Sequence, residues 1–249
     1  MPFAIDTCAA MHIGDRTDQQ DRVAILPHPT RSDCLLAVLA DGMGGHTGGA
    51  IAAQQVILKA KQNFATYQPS GDESVHEFLR SVIDEAHVVI KLTRFTSEAD
   101  PHSTAVVMVL RPGHADWAHC GDSRIYHFRR GKLVCHSPDH SLVGELIRTN
   151  RITEEMAMHH PQRNLLLSCL GAEKEPRIDY GGAQVLEPGD CFLLCSDGLW
   201  GLVGDEELGR TLNELDARSA ARVLINAARS RGEGVGDNIS LAIVKIVPV

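Results

Sequence analysis

No stretch of this chain comes near the roughly 20 consecutive apolar residues that a membrane-spanning helix requires. The opening, MPFAIDTCAAMHIGDR, lacks the basic start and the long apolar run of a secretory signal. A cytoplasmic location without a membrane partner is the expectation. Metal-thiolate spacing is missing too: seven cysteines, an odd number, are scattered without a CxxC pair. Most lie in apolar runs (Cys34, Cys120, Cys191, Cys195), where a reduced thiol behaves as a small hydrophobe. A disulfide framework is therefore not expected, and a reducing compartment fits better. Positive charge is in short supply, with 24 Lys and Arg against 32 Asp and Glu and a formal net charge of -8. That balance argues against nucleic acid or an anionic membrane as the main partner. No internal repeat, low-complexity tract or linker-like shift in composition interrupts the 249 residues, so residues 1–249 read as one domain.

What is present reads as alternating runs of strands and helices. Apolar runs rich in Val, Ile, Leu and Cys predict strands over 3–9, 22–26, 34–40, 104–110, 116–119, 123–128, 132–136, 177–185, 190–196 and 239–247. Helical spacing of small and apolar residues predicts helices over 48–64, 74–95, 205–212 and 217–231, with a more polar helical stretch over 141–161. Thr153-Glu154-Glu155 reads as a helix start with acidic residues in its first turn. Strands in series broken by paired helices point to an α+β domain, with helices packed on antiparallel sheets.

Three aspartates stand at the mouths of such strands, each against glycine. Asp41 follows CLLAVLA and opens Asp41-Gly42-Met43-Gly44-Gly45; Asp197 follows DCFLLCS; Asp237 precedes NISLAIVKI. Singly, each reads equally well as a turn residue. If the strand ends converge, several carboxylates share one small volume, and a hard divalent cation on oxygen ligands resolves their repulsion. Oxygen-only ligands favour Mg or Mn over zinc or copper. The loop from Arg16 to Asp21 can supply one phosphate anchor and one further carboxylate, or serve only as a charged turn.

Four motifs occur in order: Asp41-Gly42-Met43-Gly44-Gly45-His46, Gly121-Asp122-Ser123-Arg124, Ser196-Asp197-Gly198-Leu199 and Gly236-Asp237-Asn238. In order and spacing they resemble the metal-dependent Ser/Thr protein phosphatases of type 2C, closest to the compact bacterial members. The resemblance runs from about residue 6 to the C-terminus, and residues 137–164 look like that family's flap. It implies a four-layer α-β-β-α sandwich of two antiparallel sheets flanked by helices, with the small flap segment and with metals at one end. It also implies two Mn2+ or Mg2+ ions and a third, more weakly held one. Asp41 would bridge both metals, the Gly42 carbonyl would complete one shell, and Asp197 and Asp237 would hold the other ion. Asp21 would reach its neighbour through water, Asp122 would help hold the third ion, and Arg16 would bind phosphate. Departures from the family pattern fall at Gln19-Gln20, at Pro101-His102-Ser103 and at Met43. His46 is the nearest histidine to the bridging aspartate, though a loop histidine is more often structural.

The implied reaction is hydrolysis of phosphoserine or phosphothreonine in proteins by attack of a metal-bridging water, with Asp41 and Arg16 as the central groups. The expected partners are phosphorylated proteins, among them a bacterial Ser/Thr kinase and its substrates, and the expected state is a monomer. A cysteine nucleophile is disfavoured, because no Cys-(x)5-Arg phosphate loop occurs. Two other readings stay open: a catalytically silent phosphoprotein-binding domain of the same fold, and a two-metal hydrolase of small phosphoesters or nucleotides.

Overall fold

The computed structural model describes residues 3–68, 74–94 and 100–249. The chain runs through β1 (Phe3–His12), β2 (Arg22–Pro27), β3 (Leu35–Ala40), the two-residue β4 (Gly42–Met43), α1 (Gly45–Thr66), α2 (Val75–Thr93), the two-residue β5 (His102–Ser103) and β6 (Ala105–Arg111). It continues through β7 (His114–Cys120), β8 (Arg124–Arg129), β9 (Lys132–His136), α3 (Leu142–Arg148), α4 (Glu154–Met158) and β10 (Asp179–Gln184). It ends with β11 (Asp190–Cys195), α5 (Asp197–Trp200), α6 (Asp205–Glu214), α7 (Ala217–Arg231) and β12 (Ile239–Pro248). Two five-stranded antiparallel sheets result, ordered β1-β12-β11-β8-β9 and β10-β7-β6-β3-β2.

The central strands are apolar on both faces, because each face meets a different layer. On β3, Leu35, Ala37 and Leu39 point into the space between the sheets, while Leu36, Val38 and Ala40 pack under α1 and α2. On β11, Phe192 and Leu194 face the sandwich interior, and Cys191, Leu193 and Cys195 face α6 and α7. Side chains alternate along a strand with period two, so a strand covered on both sides loses the polar half of its pattern. Each large side chain buried this way is worth about 1.5–3 kcal/mol.

The helices carry their own boundary signals. In α2, Ser74 accepts from the Glu77 amide and Glu77 returns a bond to the Ser74 amide, a reciprocal cap that fixes the first turn. Its buried stripe, Phe78, Leu79, Val82, Ile83, Ala86 and Ile90, lies on the β3–β6 sheet. Asp216 caps α7 through the Ser219 amide, and alanines at 217, 220, 221 and 228 let that helix approach the other sheet closely. Helices on both outer faces and two sheets within make the four-layer α-β-β-α sandwich expected from the resemblance.

Observed element ends differ from the expected ones by a few residues. Three short elements escaped the periodicity altogether: β4, β5 and α5 are two to four residues long, too short to show a period. The expected flap, 137–164, holds α3 and α4. Thr153 caps α4 through the Met156 amide, so the Thr-Glu-Glu stretch is a helix start. All seven cysteines are free, and Cys34, Cys120, Cys191 and Cys195 are buried in the core.

Candidate metal centre

Antiparallel register brings the chosen aspartates to one edge of the sandwich. Ala40 at the end of β3 pairs with Arg22 at the start of β2, which sets Asp41 beside Asp21. Cys195 at the end of β11 pairs with both Leu241 near the start of β12 and Arg124 at the start of β8. Asp197, Asp237 and Asp122 therefore gather there from the other sheet. The edge lies between the sheets, and Ser196 ties them: its buried hydroxyl donates to Asp21 Oδ2 at 2.9 Å and accepts from the Ser240 amide at 3.1 Å.

The surrounding loops are held by specific bonds. Asn238 accepts from the Gln20 amide at 2.7 Å and donates to the Ile13 and Asp18 carbonyls at 2.8 and 3.0 Å. One side chain thereby fixes the whole 13–20 loop. The Asp41 amide donates to Thr104 Oγ1 at 2.9 Å, and the Asp41 carbonyl accepts from the Thr104 amide at 2.9 Å and Ser103 Oγ at 3.1 Å. The departure at Pro101-His102-Ser103 thus leaves the backbone of Asp41 clamped. At the other departure, Gln19 Oε1 accepts from the Asp21 amide and Gln20 Nε2 donates to the Gly45 carbonyl, both at 2.9 Å. The amides change the bonds behind Asp21 without displacing it.

Glycine is required where backbones meet. A Cβ on Gly42 would lie 2.0 Å from the Gly49 carbonyl oxygen, and one on Gly198 would lie 2.1 Å from that of Asn238. These approaches let α1 and α5 start against the strand ends that carry Asp41 and Asp237.

The electrostatics describe an anionic cluster only partly compensated by neighbouring arginines. Burial pushes Asp41 well above the usual carboxylate range, and the neighbouring charges of Asp21, Asp197, Asp122 and Asp237 push the same way. Asp197 rises to about 7, through burial first and then Asp237 and Asp21. Asp21 rises to about 6 through burial, although the Ser240 and Ser196 hydroxyls pull it down. Asp122 is raised well above its ordinary value by burial, then by Asp197 and Asp139. Asp197 Oδ1 is buried without a hydrogen-bond partner. Carboxylates left in this condition either hold protons or hold cations. The donor set is all oxygen and includes that orphaned atom, so the residues present suit Mg2+ or Mn2+.

Arg16 is placed somewhat differently from a free phosphate anchor. It is 58% exposed at the mouth, and Nη2 donates to Asp237 Oδ2 at 2.6 Å. Arg124, in the Gly-Asp-Ser-Arg motif, is engaged by Asp139 and Trp200 while its charge acts on Asp122. It grips Asp139 through two 2.8 Å bonds and lies 3.7 Å over the Trp200 ring. The Trp200 indole donates to the Asp122 carbonyl at 3.0 Å. The supporting roles of Ser196, Asn238, Trp200 and Asp139 were not foreseen from sequence, although Ser196 and Asn238 flank the chosen aspartates directly. The side chain of His46 lies outside the described residues.

A match to the family described as protein phosphatase 2C extends over residues 8–232. The chain belongs to that family. The serine/threonine phosphatase stp of Listeria monocytogenes serovar 1/2a is 34% identical over 215 residues, 84% of each chain. The Streptococcus agalactiae serine/threonine phosphatase structure superposes with a TM-score of 0.89 at 28% identity, covering 98% of this chain and 100% of that one. The catalytic domain of the serine/threonine protein phosphatase PstP, solved with two manganese ions, matches at a TM-score of 0.80 and 27% identity, covering 99% and 100%. As a member of the protein phosphatase 2C family with each expected aspartate at one edge, the chain is a metal-dependent phosphoprotein phosphatase, and the silent-scaffold reading is set aside.

Proposed function

We propose that this phosphatase hydrolyses phosphoserine and phosphothreonine in proteins at the carboxylate edge, using Asp41, the Gly42 carbonyl, Asp197 and Asp237 to hold two Mn2+ or Mg2+ ions. Asp21 supports one of them, and Asp122, further along the edge, serves a third and weaker ion. The observation that carries the reading is the convergence of five aspartates from both sheets, which among the described residues outnumber the cations beside them, Arg16 at Asp237 and Arg124 near Asp122. Bound there, divalent cations supply water acidified to near neutrality and offset charge on the phosphoryl oxygens.

The chain's own residues do the positioning. Asp41 is central, since each of the other four carboxylates contributes to its shift; its backbone is fixed from both sides by Ser103 and Thr104. Ser196 and Asn238 set the orientation of Asp21 and of the loop that carries Arg16. At the mouth, the planar Arg16 fork offers parallel donors to phosphoryl oxygens as charge builds on them. The segment 137–164 begins beside Asp122, where the His140 amide donates to the Gly121 carbonyl, and its exposed Met156 and Met158 offer apolar contacts to a protein substrate.

The same reading makes the whole chain one phosphatase domain. It acts as a monomer in the cytoplasm and opposes a Ser/Thr kinase. Among the described residues no helix is long and apolar enough to cross a membrane. Phosphate release from a phosphothreonine peptide, measured with Mn2+, with Mg2+ and with excess chelator, tests the proposal. Turnover that needs the metal is expected; a folded sample inactive with every metal would overturn it. A nucleotide turned over faster than the peptide would favour the small-phosphoester reading.

A further inference from the structure

A second cluster of ligating side chains lies three residues from Asp122 and contains nitrogen. His119 is the last residue but one of β7, His140 stands near the start of the 137–164 segment, and Asp179 opens β10. One ligand atom from each lies within 4.8 Å of the other two. Both histidines are buried, at 1% and 2% exposure, and their rings stack with centroids 4.7 Å apart. His119 Nδ1 is buried without a hydrogen-bond partner, and His140 Nε2 meets only Asp179 Oδ2, at 3.2 Å and too poorly aligned for a good hydrogen bond. We propose that His119, His140 and Asp179 form a binding site for a borderline-soft divalent cation of the Zn2+ class, separate from the carboxylate centre, that fastens the 137–164 segment to the sheet.

The tautomer of His119 supports this. Its Nε2 lies 2.8 Å from the Pro138 carbonyl, and a carbonyl can only accept, so Nε2 carries the proton and Nδ1 keeps a bare lone pair. A metal-ligating histidine typically donates its second nitrogen to a backbone carbonyl in this way. Burial lowers the pKa of His119, and of His140 to about 4, so both rings are neutral bases near pH 7. Imidazole with one carboxylate selects Zn2+, Co2+ or Ni2+, whereas the all-oxygen centre selects Mg2+ or Mn2+. Two sites of unlike chemistry therefore lie next to each other.

Two contacts oppose occupancy and make the idea testable. His140 Nδ1 accepts from the Gly121 amide at 3.3 Å, a long bond that is given up when the ring proton moves to Nδ1 and Nε2 turns to the cation. His140 Nε2 is 3.2 Å from Asp179 Oδ2, but Arg177 holds both Asp179 oxygens, at 3.1 and 2.6 Å. Arg177 is 48% exposed and can swing away. Zinc–nitrogen bonds of about 2.1 Å place tetrahedral donors about 3.4 Å apart, so His140 moves inward by an ångström or so and brings the segment with it.

The test is a Zn2+ titration of the full chain in excess Mg2+, which occupies the oxygen centre. Zinc retained after dialysis, the imidazole 15N shifts of His119 and His140, and hydrogen exchange over 139–146 are followed. One additional equivalent of Zn2+ that shifts both rings and slows exchange is expected. Binding should weaken at least tenfold in His119→Ala and in Asp179→Asn, and tighten about tenfold in Arg177→Gln, which removes the competing cation. Asp179→Asn changes a half-buried surface group and covers the case in which His119→Ala fails to fold. Zinc uptake unchanged by these substitutions, no retained equivalent, or weaker binding in Arg177→Gln would overturn the proposal.

Discussion

Removing the metal should make this protein less stable as pH rises from 5 to 8, the reverse of ordinary acid unfolding. The cause is the raised acidity constants of Asp197, at about 7, and Asp21, at about 6. In the unfolded chain both aspartates ionise near 3.8. Between the two values the folded state binds more protons than the unfolded state, so unfolding releases protons and stability falls with rising pH. Well below pH 3.8 both states are protonated and nothing is lost; above about pH 7 most of the loss is present. A tenfold shift in acidity corresponds to about 1.4 kcal/mol, so Asp197 accounts for at most about 4 kcal/mol. Relaxation and water penetration around the cluster reduce that to about 2–3 kcal/mol. For a chain of this size that corresponds to a melting temperature lower by roughly 4–12 °C. The assay is thermal unfolding by circular dichroism across pH 5–8, with chelator and with Mn2+. Chelated protein should melt lower at pH 8 than at pH 5, and Mn2+ should reverse the trend, because ionised ligands bind it best. Asp197→Asn should raise the chelated melting temperature at pH 8 and remove most of the response to Mn2+. A chelated melting temperature that is flat or rises with pH, or a lower one in Asp197→Asn, would refute the account of the cluster as mutually repelling and short of cations.

Asp41→Ala should lower peptide turnover by about a thousandfold or more while leaving the circular dichroism spectrum intact; near-normal phosphate release would remove Asp41 from the reaction. Arg16→Ala should reduce kcat/KM about 10- to 1000-fold, with Arg16→Lys only partly restoring it, since an ammonium lacks the fork; steady-state kinetics would detect equal activity in all three. Gly198→Ala forces a carbon against the Asn238 carbonyl and should cost about 1–3 kcal/mol, read as a lower midpoint in urea. Asn238→Ala removes three bonds to the 13–20 loop and should cost about 3 kcal/mol at roughly 1 kcal/mol each, with faster hydrogen exchange confined to that loop.

The parts of this fold that sequence disclosed are those with a strong period. The runs around 34–40, 190–196 and 239–247 read as strands because both faces are covered, and α2 was framed by the serine that caps it. The aspartates were legible because each ends an apolar run against glycine, and their shared destination follows from antiparallel pairing once the strand order is known. Partners across the gap were not legible. Nothing near Ser196 announces that its hydroxyl reaches Asp21, 175 positions away in sequence. Nor does the loop itself show that Asn238 holds it, since the choice depends on which side chain the register sets opposite. Arg16 was expected as a phosphate anchor, but its bond to Asp237 depends on an encounter of two distant segments. The His119–His140–Asp179 cluster was missed for the same reason: its members are spaced irregularly and meet only after folding.

The bond from Ser196 to Asp21 joins the two sheets at the edge where the aspartates gather, and this gives the sandwich interior a say in chemistry it never touches. Cation binding at that edge favours the arrangement in which the sheets stand at the correct separation. The preference is reciprocal, so a change that loosens the sheets weakens the cations to the extent that it depopulates that arrangement. Phe192, packed against Trp117 from the opposite sheet with ring centroids 6.2 Å apart, is such a position. A smaller residue there would retune metal affinity from within the core, and selection on packing would at the same time be selection on the concentration of metal at which the phosphatase works.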